Sequence, residues 1–233
     1  MKKNKLKIAI IHPTLEILGG AENVILNFAK YFSQSGHSVT IISAGINKEV
    51  REYIKELNVE YISIKLPFIP PYDMYLRNIK IMGWYLKLRK ILTQFDIINV
   101  HNFPATLWVA EAMDYCKTKS CPVIWTCHEP PRALYPEELE DPMQSAIFDK
   151  SNLENPIIIP EKTRKKSQHE KIKEKDSKLK DFLDMVIVNS KYTAENFTRI
   201  YKFEPVVKYY GIDFNKTKIK EKLNAILEKR KLD

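Results

Sequence analysis

Short apolar runs and helix-spaced apolar stripes alternate along this chain, which predicts a succession of strand, helix and strand. Ile8-Ala9-Ile10-Ile11 is a β-branched run of the kind buried on both faces of a sheet. A loop ending in Gly19-Gly20 follows. Val24, Ile25, Phe28, Ala29 and Phe32 then recur at helical spacing and give one apolar stripe. Gly36 is the expected helix stop, and the run through Val39 to Ile42 returns as a second strand. Such a unit pairs its strands in parallel through a right-handed crossover.

The rhythm repeats downstream. Asn47 is placed to cap a helix with Val50, Tyr53, Ile54 and Leu57 on one face, and Val59 to Ile64 reads as a third strand. Leu66 to Tyr72 contains three prolines and must be a stiff loop leaving that strand's C-terminal end. The segment from Asn78 to Phe95 has Ile81, Trp84, Tyr85, Leu88 and Leu92 on one side and interleaved basic residues, as in a core helix with a basic outer face. Asp96 to His101 is a fourth strand, with Asn102 and Pro104 expected to open the helix through Tyr115, and Pro122 to Cys127 is a fifth. From Glu129 to Asp181 the periodicity is lost among six prolines, which suggests a surface excursion with one or two short helices. Met185 to Asn189 resumes as a strand, Ser190 caps a helix holding Ala194, Phe197 and Tyr201, and Pro205 to Tyr209 is a last strand. The expected fold is α/β, a Rossmann-like open parallel sheet with helices on both faces. It fills residues 1–213, and a charged helical tail spans 214–233.

Composition adds bounds. A chain of 233 residues with 44% hydrophobic positions has enough apolar surface to fold as one large domain. The apolar run after the basic start is too short for a signal peptide or a membrane span, so the expected location is the cytoplasm. Cys116, Cys121 and Cys127 show neither paired numbers nor C-x-x-C spacing, which argues against a disulfide framework or a zinc site. A formal charge of +9 suits an anionic partner without choosing one. Much of it sits in Lys162 to Asp181, where nine Lys or Arg meet four acids, as on a solvated helix with paired charges. Nucleic acid is not favoured, because no basic-aromatic pattern or known motif supports it.

Two features carry candidate chemistry. Gly19-Gly20 before a helix is either a plain turn or a loop that lets backbone N–H groups approach a phosphate. The dinucleotide pattern G-x-G-x-x-G and the Walker pattern are both missing. His101 and His128 fall at the C-terminal ends of strands, where open α/β sheets bind ligands, and each is either a ligand-binding or a structural histidine.

Three separated stretches resemble the N-terminal half of a family 4 glycosyltransferase. They are Gly19-Gly20-Ala21-Glu22 with Gly36-His37-Ser38-Val39-Thr40; Thr126-Cys127-His128-Glu129; and Val188-Asn189-Ser190-Lys191 leading to Tyr210-Gly211-Ile212-Asp213-Phe214. The resemblance implies one half of the GT-B architecture, in which two Rossmann-like domains face a cleft, the first binding the acceptor and the second a nucleotide sugar. It implies transfer of a hexosyl-type sugar with retention, with no cofactor and no bound metal; no Asp-x-Asp motif occurs here. Carried onto this chain, it gives His128 as the catalytic histidine that reaches the transferred sugar. Gly19 and Gly20 become the loop at the donor diphosphate, and Glu22 the residue that shapes that loop. His101 and Ser190 are further donor or substrate contacts, and Gly211 with Asp213 marks the hinge, which makes the charged tail at 214–233 a hinge or linker helix. The implied partners are a nucleotide sugar, a glycan or lipid-linked acceptor, and a donor-binding domain in cis or in trans, since no Glu-x7-Glu stretch follows the hinge within this sequence. The alternative expectation is a non-catalytic module that binds an acceptor or the inner membrane face through the basic helix at 78–95 and the proline loop.

Overall fold

The computed structural model of the chain describes residues 5–65, 74–114, 121–136, 138–139 and 168–211. Its elements are β1 (Lys7–Ile11), α1 (Gly20–Gln34), β2 (Ser38–Ser43), α2 (Lys48–Glu56), β3 (Glu60–Ser63), α3 (Met74–Leu92) and β4 (Ile97–His101). After these come α4 (Ala105–Asp114), β5 (Val123–Cys127), α5 (Gln168–Ser177), β6 (Met185–Val188), α6 (Lys191–Tyr201) and β7 (Val206–Val207). All seven strands pair in parallel, in the order β3-β2-β1-β4-β5-β6-β7. The order reverses between β1 and β4. That reversal opens a crevice at the C-terminal strand ends, because the connections on its two sides leave in opposite directions.

Alternate residues of β1 feed two apolar layers. Ile8 and Ile10 pack with Ile25, Leu26, Ala29, Val50 and Ile54 beneath α1 and α2. Ala9 and Ile11 pack into the opposite layer with Leu88, Leu92, Val109 and Trp125. A strand buried on both faces must read as a continuous apolar run, which is why the four residues Ile8 to Ile11 located it. Local signals set the ends. Asn47 accepts from the Val50 N–H at 2.8 Å and starts α2, and Gly36 at φ +91° follows the end of α1 in the left-handed region that glycine tolerates. α3 begins four residues before the expected start, and it stops three residues short of Phe95, where single-turn bonds such as Phe95 N–H to Leu92 O take over.

The supposed surface excursion is partly core. Leu134, Tyr135, Leu139 and Leu179 are buried, and the fully buried Asp176 carboxylate accepts from the Tyr135 hydroxyl at 2.9 Å and the Tyr201 hydroxyl at 2.6 Å. A buried carboxylate needs such donors, so this clasp ties α5 and the 131–139 segment onto α6. The outer side of α5 does carry paired charges, with Lys173 on Glu138, Lys175 on Glu111 and Lys178 on Glu174. Exposed pairs of this kind contribute little to stability. The loop at 67–72, Cys116, the charged stretch up to residue 167, hinge residue Asp213 and the linker at 214–233 lie outside the described residues. Among the described residues no helix is long and apolar enough to cross a membrane.

Candidate functional site

Side chains from four elements converge where the strand order reverses. His12 directly follows β1, is 3% exposed, and sends Nδ1 to the Thr14 carbonyl at 2.6 Å. That bond places the ring proton on Nδ1, leaving Nε2 to accept from the Asn102 amide at 3.2 Å. Asn102 follows β4 with φ +53°, a left-handed conformation that asparagine tolerates better than most residues. It had been expected to cap α4; its amide instead faces His12, and the helix starts directly after Pro104. The contact therefore links the ends of β1 and β4 across the crevice.

The N-terminus of α1 lies beside it. Gly19 occupies the cap position, and the Glu22 carboxylate turns back to accept the Gly19 N–H at 2.9 Å. The other Glu22 oxygen is 3.5 Å from His12 Nε2. Burial lowers the His12 pKa, so the partner of Glu22 is a neutral ring at neutral pH. The backbone N–H groups of Gly20, Ala21 and Glu22 have no hydrogen-bond partner among the described residues. They are the orphan donors of the first helical turn and point their dipole at the crevice. A Cβ on Gly19 would come within 2.8 Å of Glu22 Oε2, whereas a Cβ on Gly20 would meet nothing within 4 Å. Packing within the described residues thus accounts for glycine at 19 but not at 20.

His128 stands at the end of β5, partly buried, with Nε2 3.0 Å from His101 Nδ1. Its carbonyl accepts from the Asn189 amide at 3.3 Å, and Asn189 Oδ1 accepts in turn from the Thr193 hydroxyl at 2.7 Å. Ser190 accepts from the Thr193 N–H at 3.1 Å and caps α6, so its hydroxyl serves the helix end that steadies the His128 backbone. Burial is the main cause that pushes the His128 pKa down to about 4, with the neighbouring His12 adding to it. His101 is fully buried behind His128 and held well below the usual histidine range by the same two kinds of cause. With no exposed surface, His101 lies behind His128 rather than at the open face of the crevice. Tyr210 and Phe28 wall the site: the Tyr210 ring sets an edge on His128 and on Phe28, both at 5.6 Å between centroids. Gly211 is exposed just beyond.

The structure therefore brings Gly19, Gly20, Glu22, His101 and His128 into one crevice and leaves Ser190 at its supporting edge. His12, Asn102 as a site residue, Phe28 as its wall and Tyr210 were not foreseen. The signal for His12 was present, since it ends β1 as His101 and His128 end β4 and β5.

The sequence matches the model of Glycosyltransferase Family 4 over residues 18–216. This chain belongs to glycosyltransferase family 4. Solved structures agree on the fold. HepE from Anabaena in complex with UDP and glucose superposes with a TM-score of 0.57 at 16% identity, over 94% of this chain and 50% of that one. A glycosyltransferase from Rickettsia africae ESF-5 gives 0.52 at 17% identity, over 99% and 51%. Sucrose-phosphate synthase from Thermosynechococcus elongatus gives 0.55 at 13% identity, over 94% and 53%. The family 4 chain thus has a Rossmann-like GT-B domain and spans about half the length of these structures. No curated protein matches it significantly.

Proposed function

We propose that this domain is the acceptor-side half of a retaining glycosyltransferase that uses a nucleotide sugar. The observation that carries the reading is the trio of N–H groups at Gly20, Ala21 and Glu22, unpartnered among the described residues, on a helix start whose Glu22 is near enough to His128 to act on its charge, at the strand-order reversal. Glycosyl transfer breaks the bond from the anomeric carbon to a diphosphate oxygen, and the charge left on that oxygen needs donors already in place. The α1 N-terminus supplies them. HepE, whose structures hold UDP and UDP-glucose, is consistent with a nucleotide-sugar donor. His128, neutral at physiological pH, holds the transferred sugar by hydrogen bonding and does not supply charge. The donor-binding half faces this crevice, in the same polypeptide or on a partner chain, and a glycan or lipid-linked molecule is the acceptor. No metal is assigned a role, and the site of action is the cytoplasm. The test is sugar transfer from a nucleotide sugar with the donor half present. His128→Ala is expected to abolish transfer, and unchanged transfer removes His128 from the reaction.

One observation favours a second reading, contact with the inner membrane face. Met82 and Leu86, one turn apart on α3, are 39% and 42% exposed beside the exposed Lys87 and Lys90. Apolar residues flanked by lysines suit an anionic lipid surface. Sedimentation with anionic vesicles at low and high salt tests it, and no binding at low salt rules it out.

A further inference from the structure

His101 and His128 are joined by one short ring-to-ring contact, Nδ1 to Nε2 at 3.0 Å, with the rings inclined by 26°. A neutral imidazole has one N–H and one lone pair, so this contact works in only two ways. Either His128 donates from Nε2 and His101 carries its own proton on Nε2, or His101 donates from Nδ1 and His128 carries its proton on Nδ1. The surroundings of His101 decide between them. Its Nε2 is buried and has no hydrogen-bond partner among the described residues, and the edge of Phe28 stands against the ring at 5.9 Å between centroids. The first arrangement buries an N–H with no acceptor. The second leaves only a lone pair unpartnered, which native structures tolerate more readily. Burial keeps both rings neutral, so a doubly protonated His101 is no escape.

We infer that His101 is a positioning residue that locks His128 in the Nδ1–H tautomer, so that His128 meets its ligand as a hydrogen-bond donor from Nδ1. The Nε2 lone pair is consumed by His101. His128 has no other ring contact to a polar group among the described residues, so Nδ1–H is the group left for a ligand. It recognises an acceptor atom, such as a sugar hydroxyl oxygen or a phosphate oxygen, and it cannot act as a base through Nε2. This assignment rests on the proposed function only in naming a sugar as the ligand; the tautomer stands on the protein's own geometry.

The protein has five histidines, few enough for individual assignment in a two-bond 1H–15N correlation spectrum of the full 15N-labelled chain at pH 7.5. Wild type is expected to show both His101 and His128 with protonated Nδ1 and unprotonated Nε2. His101→Phe removes the donor, and His128 should then average between tautomers; His101→Asn returns an amide N–H near the Nδ1 position and should restore the single form. A wild-type His128 protonated on Nε2 overturns the inference, as does a His128 tautomer unchanged in His101→Phe. If His101→Phe does not fold, the wild-type spectrum decides. In transfer assays with the donor half present, His128→Asn, whose amide N–H mimics Nδ1, should retain more activity than His128→Gln, whose amide mimics Nε2. The expected spectrum without any transfer leaves the histidine pair standing and counts against the function instead.

Discussion

Gly20→Ala sets stability and function against each other, because no described protein atom lies within 4 Å of the added methyl. Gly20 is the first residue of α1 and does not adopt a positive φ, so alanine fits its backbone. Replacing such a glycine stabilises a protein by about 0.4–1 kcal/mol through the unfolded chain. In a domain of this size that raises Tm by about 1–4 °C. The same methyl is added at the helix start whose Gly20, Ala21 and Glu22 N–H groups are unpartnered among the described residues. If a diphosphate rests there, its oxygen is pushed away and one charge-assisted hydrogen bond is lost, about 1.5–3 kcal/mol. That corresponds to a rate loss of roughly 10- to 150-fold. The assay pairs thermal unfolding with initial rates of sugar transfer in the presence of the donor half. A variant that melts higher and transfers at the wild-type rate refutes the approach of a ligand to Gly20. Gly19→Ala is the contrast. Its Cβ would sit 2.8 Å from Glu22 Oε2 and drive the carboxylate off the Gly19 N–H, a capping loss of about 1 kcal/mol that should lower Tm.

Three further outcomes follow from polar groups within or beside the core. An unfolded histidine titrates near 6.5, whereas folded His128 does so at about 4 and His101 also well below 6.5, so between these values the unfolded chain binds more protons. Stability is therefore fully present above about pH 6.5 and is lost as pH falls toward 4; the His128 share is about 3 kcal/mol, and urea midpoints that fall equally steeply in His128→Gln would refute it. Tyr201→Phe removes one of the two hydroxyl donors to buried Asp176 and should cost about 1.5–3 kcal/mol by urea denaturation; a cost near zero means that Asp176 is not held as a charged acceptor. Asn102→Ala should be destabilised more than Asn102→Gly by about 1 kcal/mol, since both lose the contact to His12 but only glycine relaxes at φ +53°; equal midpoints would show no strain there.

Most of the fold was legible because its central strands are buried on both faces. Ile8 to Ile11 reads as a continuous apolar run, and Val39 to Ile42 and Val123 to Cys127 are each interrupted only by one β-branched threonine, Thr40 and Thr126, which is itself buried. Capping residues such as Asn47 and Ser190 bind their own N3 backbone, so the end of each helix is written within four residues. The Asp176 clasp obeys no such local rule. Tyr135 and Asp176 are far apart in sequence and each alone looks like a surface residue among charges or prolines, while Tyr201 reads as an apolar position of α6 with nothing to show that its hydroxyl meets a buried acid. Only the docking of α5 makes a buried acid acceptable, and docking is not a property of any short window.

The site divides along the same line. Gly19, Gly20 and Glu22 were visible because a helix N-terminus is a local object, and His101 and His128 because strand ends can be found from strand periodicity. What the sequence withheld was which histidine faces outward. That depends on side chains from α1 and the segment after β7, where Phe28 and Tyr210 close over the pair, and on a ring-to-ring bond of 3.0 Å that fixes one histidine behind the other. His12 was overlooked for a different reason: it follows β1 as His128 follows β5, and the strand-end rule covers both. Its partner, however, is Asn102, ninety residues away across the reversal of strand order. A crevice made by that reversal always joins residues distant in sequence, so the rule that locates the site from single strands cannot, by itself, pair the side chains within it.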